Sequence, residues 1–362
     1  MDETKNKYST ISSELRTKIA GGNFSPGSKI PTERDLAAQY GVSRPTVTRA
    51  LKDLANEGLI ERRVGAGSFV AEKNKVAKSL NLGLLIPGLG RGEIFEPICA
   101  RIAERSLIDM FTLSWGGFAW GNFGGGEIIK VVEGYIKQRV DGIFLQPVEL
   151  VPEPEKINHD VINLLKAGKI PVVILDADYR TFPERGEFDI VGIDNVRAAW
   201  VATEHLINQG APRVDFVTTP HIATTAVRRL GGYRLALVSN GISLDRLWEH
   251  SIDPEDDSQV RQMIELGARD VLCANDELAA LLIPSLERLG YQVPDDVRVV
   301  GFDDVKYARL VRVPLTTMKQ PCTAIGDAAV DAMLNRIAKP EQASREYLLE
   351  AELMIRQSSI RS

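Results

Sequence analysis

PTERDLAAQYGVSRPTVTRALKDLANEGLIERRVGAGSFVA, residues 31–71, fixes the architecture of the first part of the chain. After Pro31, Thr32-Glu33-Arg34-Asp35 has the pattern of a capping box with Asp in place of Glu. It opens a short helix that buries Leu36, Ala37 and Tyr40 and ends at Gly41. Ser43 suits an N-cap, Pro45 suits a first turn, and Val47, Ala50, Leu51 and Leu54 form the apolar face of a further helix stopped by Gly58. Residues 59–63 and 68–71 then read as two strands joined by a glycine-containing turn around Val64-Gly65-Ala66-Gly67. Upstream, Ile11, Leu15 and Ile19 recur every four positions, the stripe of a helix buried on one face, before Gly21-Gly22 stops it. The sum is three helices and a hairpin.

Charge divides the chain at the same place. Residues 1–75 hold 13 Lys and Arg against 9 Asp and Glu, a net of +4, which leaves −9 for the remainder of a chain whose total is −5. Only the small first part suits a polyanion. A helix, a tight glycine turn and a second helix place that second helix's first side chains against base edges in a major groove. The stretch resembles the winged helix-turn-helix of the GntR family over almost its whole length. The resemblance implies contacts to double-stranded operator DNA from Arg34, Ser43, Arg44, Thr46 and Arg49, with the wing near Gly65 and Gly67 approaching the minor groove or phosphates. Arg44 is the candidate for a bidentate contact to guanine, while Ser43, Thr46 and the helix N-terminus suit phosphates. At position 48, where many relatives carry arginine, this chain has Thr48, with Arg49 next to it, which puts a base contact there in doubt.

Beyond residue 71, EKNKVAKS at 72–79 is polar, Lys-rich and without periodicity, so it reads as a linker. Then short apolar runs alternate with helix-length amphipathic segments: LGLLI from 82, FTLSW from 111, GIFL from 142, VVIL from 172, IVGI from 190, VDFV from 214, VLCA from 271 and VRVV from 297. Continuous apolar strands separated by helices indicate parallel sheets covered on both faces. The expected fold class is α/β, an N-terminal winged helix-turn-helix plus a C-terminal two-lobed domain with parallel sheets. The expected domains are 1–71, the linker 72–79, and 80–362 divided into lobes 80–186 with 322–345 and 187–321 with 346–362. No apolar run approaches the roughly 20 residues of a membrane span. Met1 to Tyr8 has no apolar segment of a secretion signal, so the expected location is the cytoplasm. Cys99, Cys273 and Cys322 are scattered, and His159, His205, His221 and His250 have no ligand spacing, so neither disulfide, metal nor other cofactor is expected.

Five motifs carry a second resemblance: VVILDAD from 172, TAVRRLGGYRLAL from 225, CANDELAA from 273, VVGFDDV from 299 and PLTTMKQP from 314. In that order they resemble the effector domain of the lactose-repressor family and the periplasmic sugar-binding proteins. Joined to a GntR reader, the arrangement is similar to the arabinose-repressor class of hybrid regulators. The resemblance implies a ligand site at Asp176, Thr225, Arg229, Asn275, Asp303 and Gln320. Carboxylates, an amide and a guanidinium are what a polyol requires, and two carboxylates against one arginine disfavour a phosphorylated ligand. Trp115, Trp120 and Phe95 are further candidates for stacking on a sugar ring, with Arg91 and Glu93 in the loop after the first strand. The Gly124-Gly125-Gly126 run lacks the Lys-Ser/Thr of a phosphate-binding loop. The paired acids Asp303-Asp304 and Asp176 with Asp178 admit a glycosidase only if they face each other across a substrate, and no nucleophile motif is present. The expectation is a non-enzymatic, homodimeric, sugar-responsive repressor with no membrane partner. A nucleobase or other small metabolite as effector, or activation instead of repression, is the alternative.

Overall fold

The computed structural model describes the chain except residues 1–2, 21–22, 26, 57, 64–65, 72–78, 88, 90–93, 117–124, 150, 245–247 and 362. It packs as two units, Met1–Ser79 and Leu80–Ser362. Of the expected linker only Ser79 is among the described residues.

The first unit is α1 (Glu3–Ala20), α2 (Glu33–Tyr40), α3 (Arg44–Asn56) and the antiparallel hairpin β1 (Ile60–Arg63) with β2 (Gly67–Val70). Ile11, Leu15, Leu36, Val47, Ala50, Leu51 and Leu54 form its core with Ile30, Ile60 and Val70. Thr32 caps α2 in both directions: its Oγ1 accepts from the Asp35 N–H, and the Asp35 carboxylate accepts from the Thr32 N–H. Gly41, at φ +59°, takes the left-handed conformation that lets α2 stop and the chain turn into α3. Each strand of the hairpin is displaced by about one residue from the expected 59–63 and 68–71, with Arg63 opposite Gly67.

The second unit holds two six-stranded sheets. The chain builds β3 (Asn81–Leu85), α4 (Phe95–Ile108), β4 (Thr112–Trp115), α5 (Gly125–Gln138), β5 (Gly142–Leu145), α6 (Pro154–Ala167), β6 (Val172–Leu175) and β7 (Asp189–Ile193) in the first lobe. It crosses to α7 (Asn195–Asn208), β8 (Asp215–Thr218), α8 (Thr224–Ser239), β9 (Glu249–Ser251), α9 (Asp257–Glu265), β10 (Asp270–Cys273), α10 (Asp276–Arg288), β11 (Arg298–Asp303), α11 (Tyr307–Leu310) and β12 (Thr316–Lys319). It returns through α12 (Cys322–Ala338) and β13 (Glu346–Leu349), then adds β14 (Glu352–Met354) to the second sheet. The sheet orders are β13-β7-β6-β5-β3-β4 and β14-β12-β11-β10-β8-β9, with every pairing parallel except β12 with β14.

The lobe boundaries differ from the expected 187 and 346. Both 189–193 and 346–349 belong to the first sheet, where β7 pairs β6 on one side and β13 on the other. An apolar run such as IVGI shows that a strand exists, but which sheet it joins depends on a partner 156 residues away, Ile190 opposite Glu346. The Asp189 carboxylate reinforces the choice by taking both arms of Arg336 from α12 at 2.9 Å. Three crossings, after β7, β12 and β13, therefore join the lobes. Strands β5, β6 and β10 are buried at every position, as central strands covered on both faces must be.

Candidate functional site

The residues expected to meet DNA gather around the N-terminus of α3. Ser43 and Arg44 are exposed there, Thr46 is half-buried, and the Ser43 and Thr46 hydroxyls are hydrogen-bonded at 2.9 Å. Arg34 on α2 and Arg49 on α3 are exposed. Gly67 opens β2 at φ +111°, a conformation few side chains adopt, whereas Gly65 lies outside the described residues. Position 48 has a structural occupation. The Thr48 hydroxyl donates to Glu33 Oε2 at 3.0 Å, and Glu33 Oε1 accepts from Arg62 Nη2 at 2.5 Å. One α2 carboxylate thus ties together α2, α3 and β1. Nothing in the spacing of the sequence marks Glu33 for this role, because the partners lie 15 and 29 residues away.

The second unit carries its polar residues at the carboxyl ends of its strands, where parallel sheets present ligand sites. Asp176 follows β6, Asp303 ends β11, Asn275 follows β10, and Thr225 and Arg229 lie on α8 after β8. With Gln146, Glu149, Phe95 and residues 218–219 and 221–223 they line a cavity of about 180 Å³ between the lobes. That is below the roughly 300–1,000 Å³ of drug-sized pockets and suits a small ligand. Gln320 and Asp303 also line a wider cavity of about 670 Å³ with residues 319–324. Asp303 therefore stands between the two spaces.

Arg229 organises the site. It is 4% exposed, its Nε donates to Asn195 Oδ1 at 2.9 Å, Nη1 to the Ala274 carbonyl at 2.6 Å, and Nη2 to Asp303 Oδ1 at 3.1 Å. Its guanidinium lies 3.7 Å from the centre of the Phe302 ring. Gln320 Nε2 donates to the same Asp303 oxygen at 2.7 Å. Among the residues of this site, two buried acceptors have no hydrogen-bond partner, Asp176 Oδ1 and Gln320 Oε1. Asn275 Oδ1 caps α10 by accepting from the Leu278 N–H at 2.8 Å, which leaves its amide hydrogens for a ligand. Burial pushes Asp176 up to about 7 against the pull of Arg229, with Glu149 and Asp303 adding to the rise. Burial also raises Asp303, opposed by Arg229 and Gln320. Asp276 behind it is pushed up to about 8, chiefly by burial and then by Asp303.

Three of the seven described non-glycine residues at positive φ lie here, after β6 and at the end of β11. Asp176, Asp303 and Asp304 take φ of +72°, +111° and +53°. Gly192 makes room for one of them, since a Cβ there would stand 2.9 Å from the Asp176 carbonyl oxygen.

Phe95 is buried in the first turn of α4 and lines the small cavity. Trp115 does not. It ends the edge strand β4 and is 51% exposed, away from the lining, because β4 pairs only with β3. Arg91, Glu93 and Trp120 lie outside the described residues. The carboxylate pairs considered for glycoside hydrolysis do not face each other. Asp304 is taken by Arg356 at 2.6 Å and Arg309 at 3.2 Å, and Asp178 accepts from the N–H groups of Arg180 and Gly186. Glu149, Gln146 and Asn195 are site residues that sequence reading misses. Each is a lone polar residue outside the five motifs.

Comparison with known proteins gives the same two parts. Residues 7–70 match the family model of bacterial regulatory proteins, gntR family, and residues 203–359 match the periplasmic binding protein-like domain. The chain is 28% identical over 373 residues to the arabinose metabolism transcriptional repressor of Halalkalibacterium halodurans, covering 98% of this chain and 96% of that one. It is 28% identical over 346 residues to the ribose operon repressor of Escherichia coli K12, covering 91% and 99%. Among solved structures, the cellobiose complex of the transcriptional regulator CelR shares the fold with a TM-score of 0.65 at 22% identity, over 91% of this chain and all of that one. A ribose-bound LacI family regulator from Enterococcus faecium gives 0.61 at 23%, over 77% and 98%. No described helix is long and apolar enough to cross a membrane.

Proposed function

From a chain that joins a gntR-family regulatory domain to a periplasmic-binding-protein-like domain, we propose a homodimeric transcriptional repressor whose operator affinity is set by a small neutral sugar. The observation that carries the effector is the buried, unpartnered acceptor Asp176 Oδ1 on the small cavity beside a fully engaged Arg229, with a second one, Gln320 Oε1, on the wider cavity across Asp303. A buried acceptor without a donor is costly, and sugar hydroxyls are donors. The lining sets Glu149, Asp176 and Asp303 against one arginine, which opposes a phosphorylated ligand. Relatives named as arabinose and ribose repressors support the same class.

In this reading Arg44 reads a base while Ser43, Thr46, Arg34, Arg49, Gly65 and Gly67 hold the duplex. Two readers in a symmetric dimer engage a roughly palindromic site. Sugar binds the closed cleft more tightly than the open one, and only that difference shifts the reader between operator-binding and released states. The test is a melting screen of monosaccharides on the full chain. A sugar at about 100 times its Kd stabilises the protein by roughly 2.7 kcal/mol, and the same sugar releases operator. Stabilisation by a nucleobase and by no sugar would assign the other effector class.

A further inference from the structure

Among the described residues, the Glu149 side chain bridges the cleft by hydrogen bonds. Glu149, in the segment after β5 of the first lobe, places Oε1 2.8 Å from the backbone N of Thr224 and 2.6 Å from its Oγ1, the first residue of α8 in the second lobe. Both groups donate to the carboxylate.

Each side is built for this contact. On the first lobe, the backbone next to Glu149 is fixed. The Val148 N–H donates to the Oδ1 of buried Asn158 at 2.8 Å, and Asn158 Nδ2 donates to the Val148 carbonyl at 2.9 Å. On the second lobe, α8 begins without a cap of its own. Its N-cap is Ala223, which offers no side-chain acceptor, so the first N–H of a 16-residue helix lacks a local partner. A carboxylate at a helix N-terminus satisfies that donor and complements the helix dipole. Here the capping group comes from the opposite lobe, so the helix is capped only while the lobes are together.

We propose that Glu149 is a closure latch: it caps α8 across the cleft, so that closing the lobes and capping the helix are one event. The latch holds part of the closing free energy before any ligand arrives. It thereby sets how much of the empty protein is competent to bind, and apparent affinity scales with that fraction. Thr224 is absent from the cavity lining while Glu149 belongs to it, which separates a latch from a ligand contact. The proposal rests on the effector reading for its consequence but not for its existence.

The first measurement uses the ligand-free full chain. Hydrogen exchange at the Thr224 amide is slowed in the wild type, and Glu149→Ala returns it to the rate of an open helix end. Exchange at the unprotected rate in the wild type overturns the latch whatever the ligand proves to be. The second measurement uses D-ribose and L-arabinose as probes, with Thr224→Val, which deletes the hydroxyl donor and keeps the N–H. Glu149→Ala weakens binding by about 2- to 30-fold, the range a lost helix cap represents, and Thr224→Val by a smaller factor of the same sign. Weakening by Glu149→Ala with none by Thr224→Val makes Glu149 a ligand contact alone and overturns the proposal. If neither sugar binds while Thr224 stays protected, the latch stands and these two pentoses are excluded as the effector, which leaves the effector reading to the monosaccharide screen.

Discussion

Replacing Asp303 by Asn removes one charge from the cleft and leaves the end of β11 in shape. Alanine is the wrong choice there, for two reasons on the structure. Asp303 Oδ1 accepts from Arg229 and Gln320, and Arg229 is buried. Removing the acceptor altogether, so that a buried arginine faces no partner there, costs about 3–5 kcal/mol. In addition, φ at Asp303 is +111°, where strain for a side chain without local hydrogen bonding is of order 1–3 kcal/mol. Together these approach the whole stability of a domain, about 5–15 kcal/mol. Asparagine keeps an acceptor for both partners and tolerates positive φ, so Asp303→Asn costs about 1 kcal/mol, the difference between a charged and a neutral acceptor. A sugar hydroxyl loses a charged partner worth about 1.5–3 kcal/mol, which is roughly a 10- to 150-fold rise in Kd. Calorimetry and melting with the sugar identified in the screen measure both quantities. The variant folds, binds operator, and fails to release it at the sugar concentration that releases the wild type. An Asp303→Asn protein that responds to the same sugar at the same concentration as wild type refutes the placement of the site.

Three further outcomes follow from the same geometry. Arg44→Ala lowers operator affinity by about 1–3 kcal/mol and relaxes specificity at one base pair; equal losses on operator and random DNA in a binding titration would reduce Arg44 to a phosphate contact. Asp176 is raised to about 7 by burial, with Arg229 opposing and Glu149 and Asp303 reinforcing. Hydroxyl donors favour its carboxylate, so sugar binding expels a proton. Affinity therefore climbs as pH rises from the ordinary carboxylate range towards about 7, by at most about tenfold per pH unit, and levels off above; a flat or falling profile contradicts it. Sedimentation at micromolar concentration shows a dimer, and a monomer that protects a single half-site on DNA removes the symmetric model.

How much of this was legible in the sequence depends on the range over which each feature is decided. The first unit was readable almost residue by residue because its signals are local. Thr32 and Asp35 cap within four residues, Gly41 stops α2 one residue past its end, and the buried stripe Val47, Ala50, Leu51 and Leu54 follows the helical period. In the second unit the strands were legible wherever they are continuous apolar runs, yet the interior strand β12, TTMK, and β9, β13 and β14 at the sheet edges were not. Their patterns, EHS, EYLL and ELM, are short and half polar. Sheet membership was misplaced for β7 and β13 because it depends on a pairing that no window along the chain contains.

The site divides along the same line. Asp176, Arg229, Asn275 and Asp303 sit inside motifs, and the fold brings them into one cluster through Arg229 and the strand ends. Glu149, Asn195 and Glu33 make their key contacts with partners distant in sequence, at 75, 34, and 15 to 29 residues. A carboxylate in a loop and an asparagine at a helix start are ordinary surface chemistry until the fold supplies what they face. The strained aspartates show the reverse. Asp176 and Asp303 hold left-handed backbone that an ordinary strand end does not require, and such strain persists only where the surroundings over-determine it. Here the surroundings are Gly192 against the Asp176 backbone, and Arg229 with Gln320 on the Asp303 carboxylate. Each lobe thus presents its carboxylate in a fixed direction, Asp176 from the first and Asp303 from the second. In the proposed reading, a ligand that joins them must span the gap that closure sets, and the cleft then gauges ligand size as well as ligand chemistry.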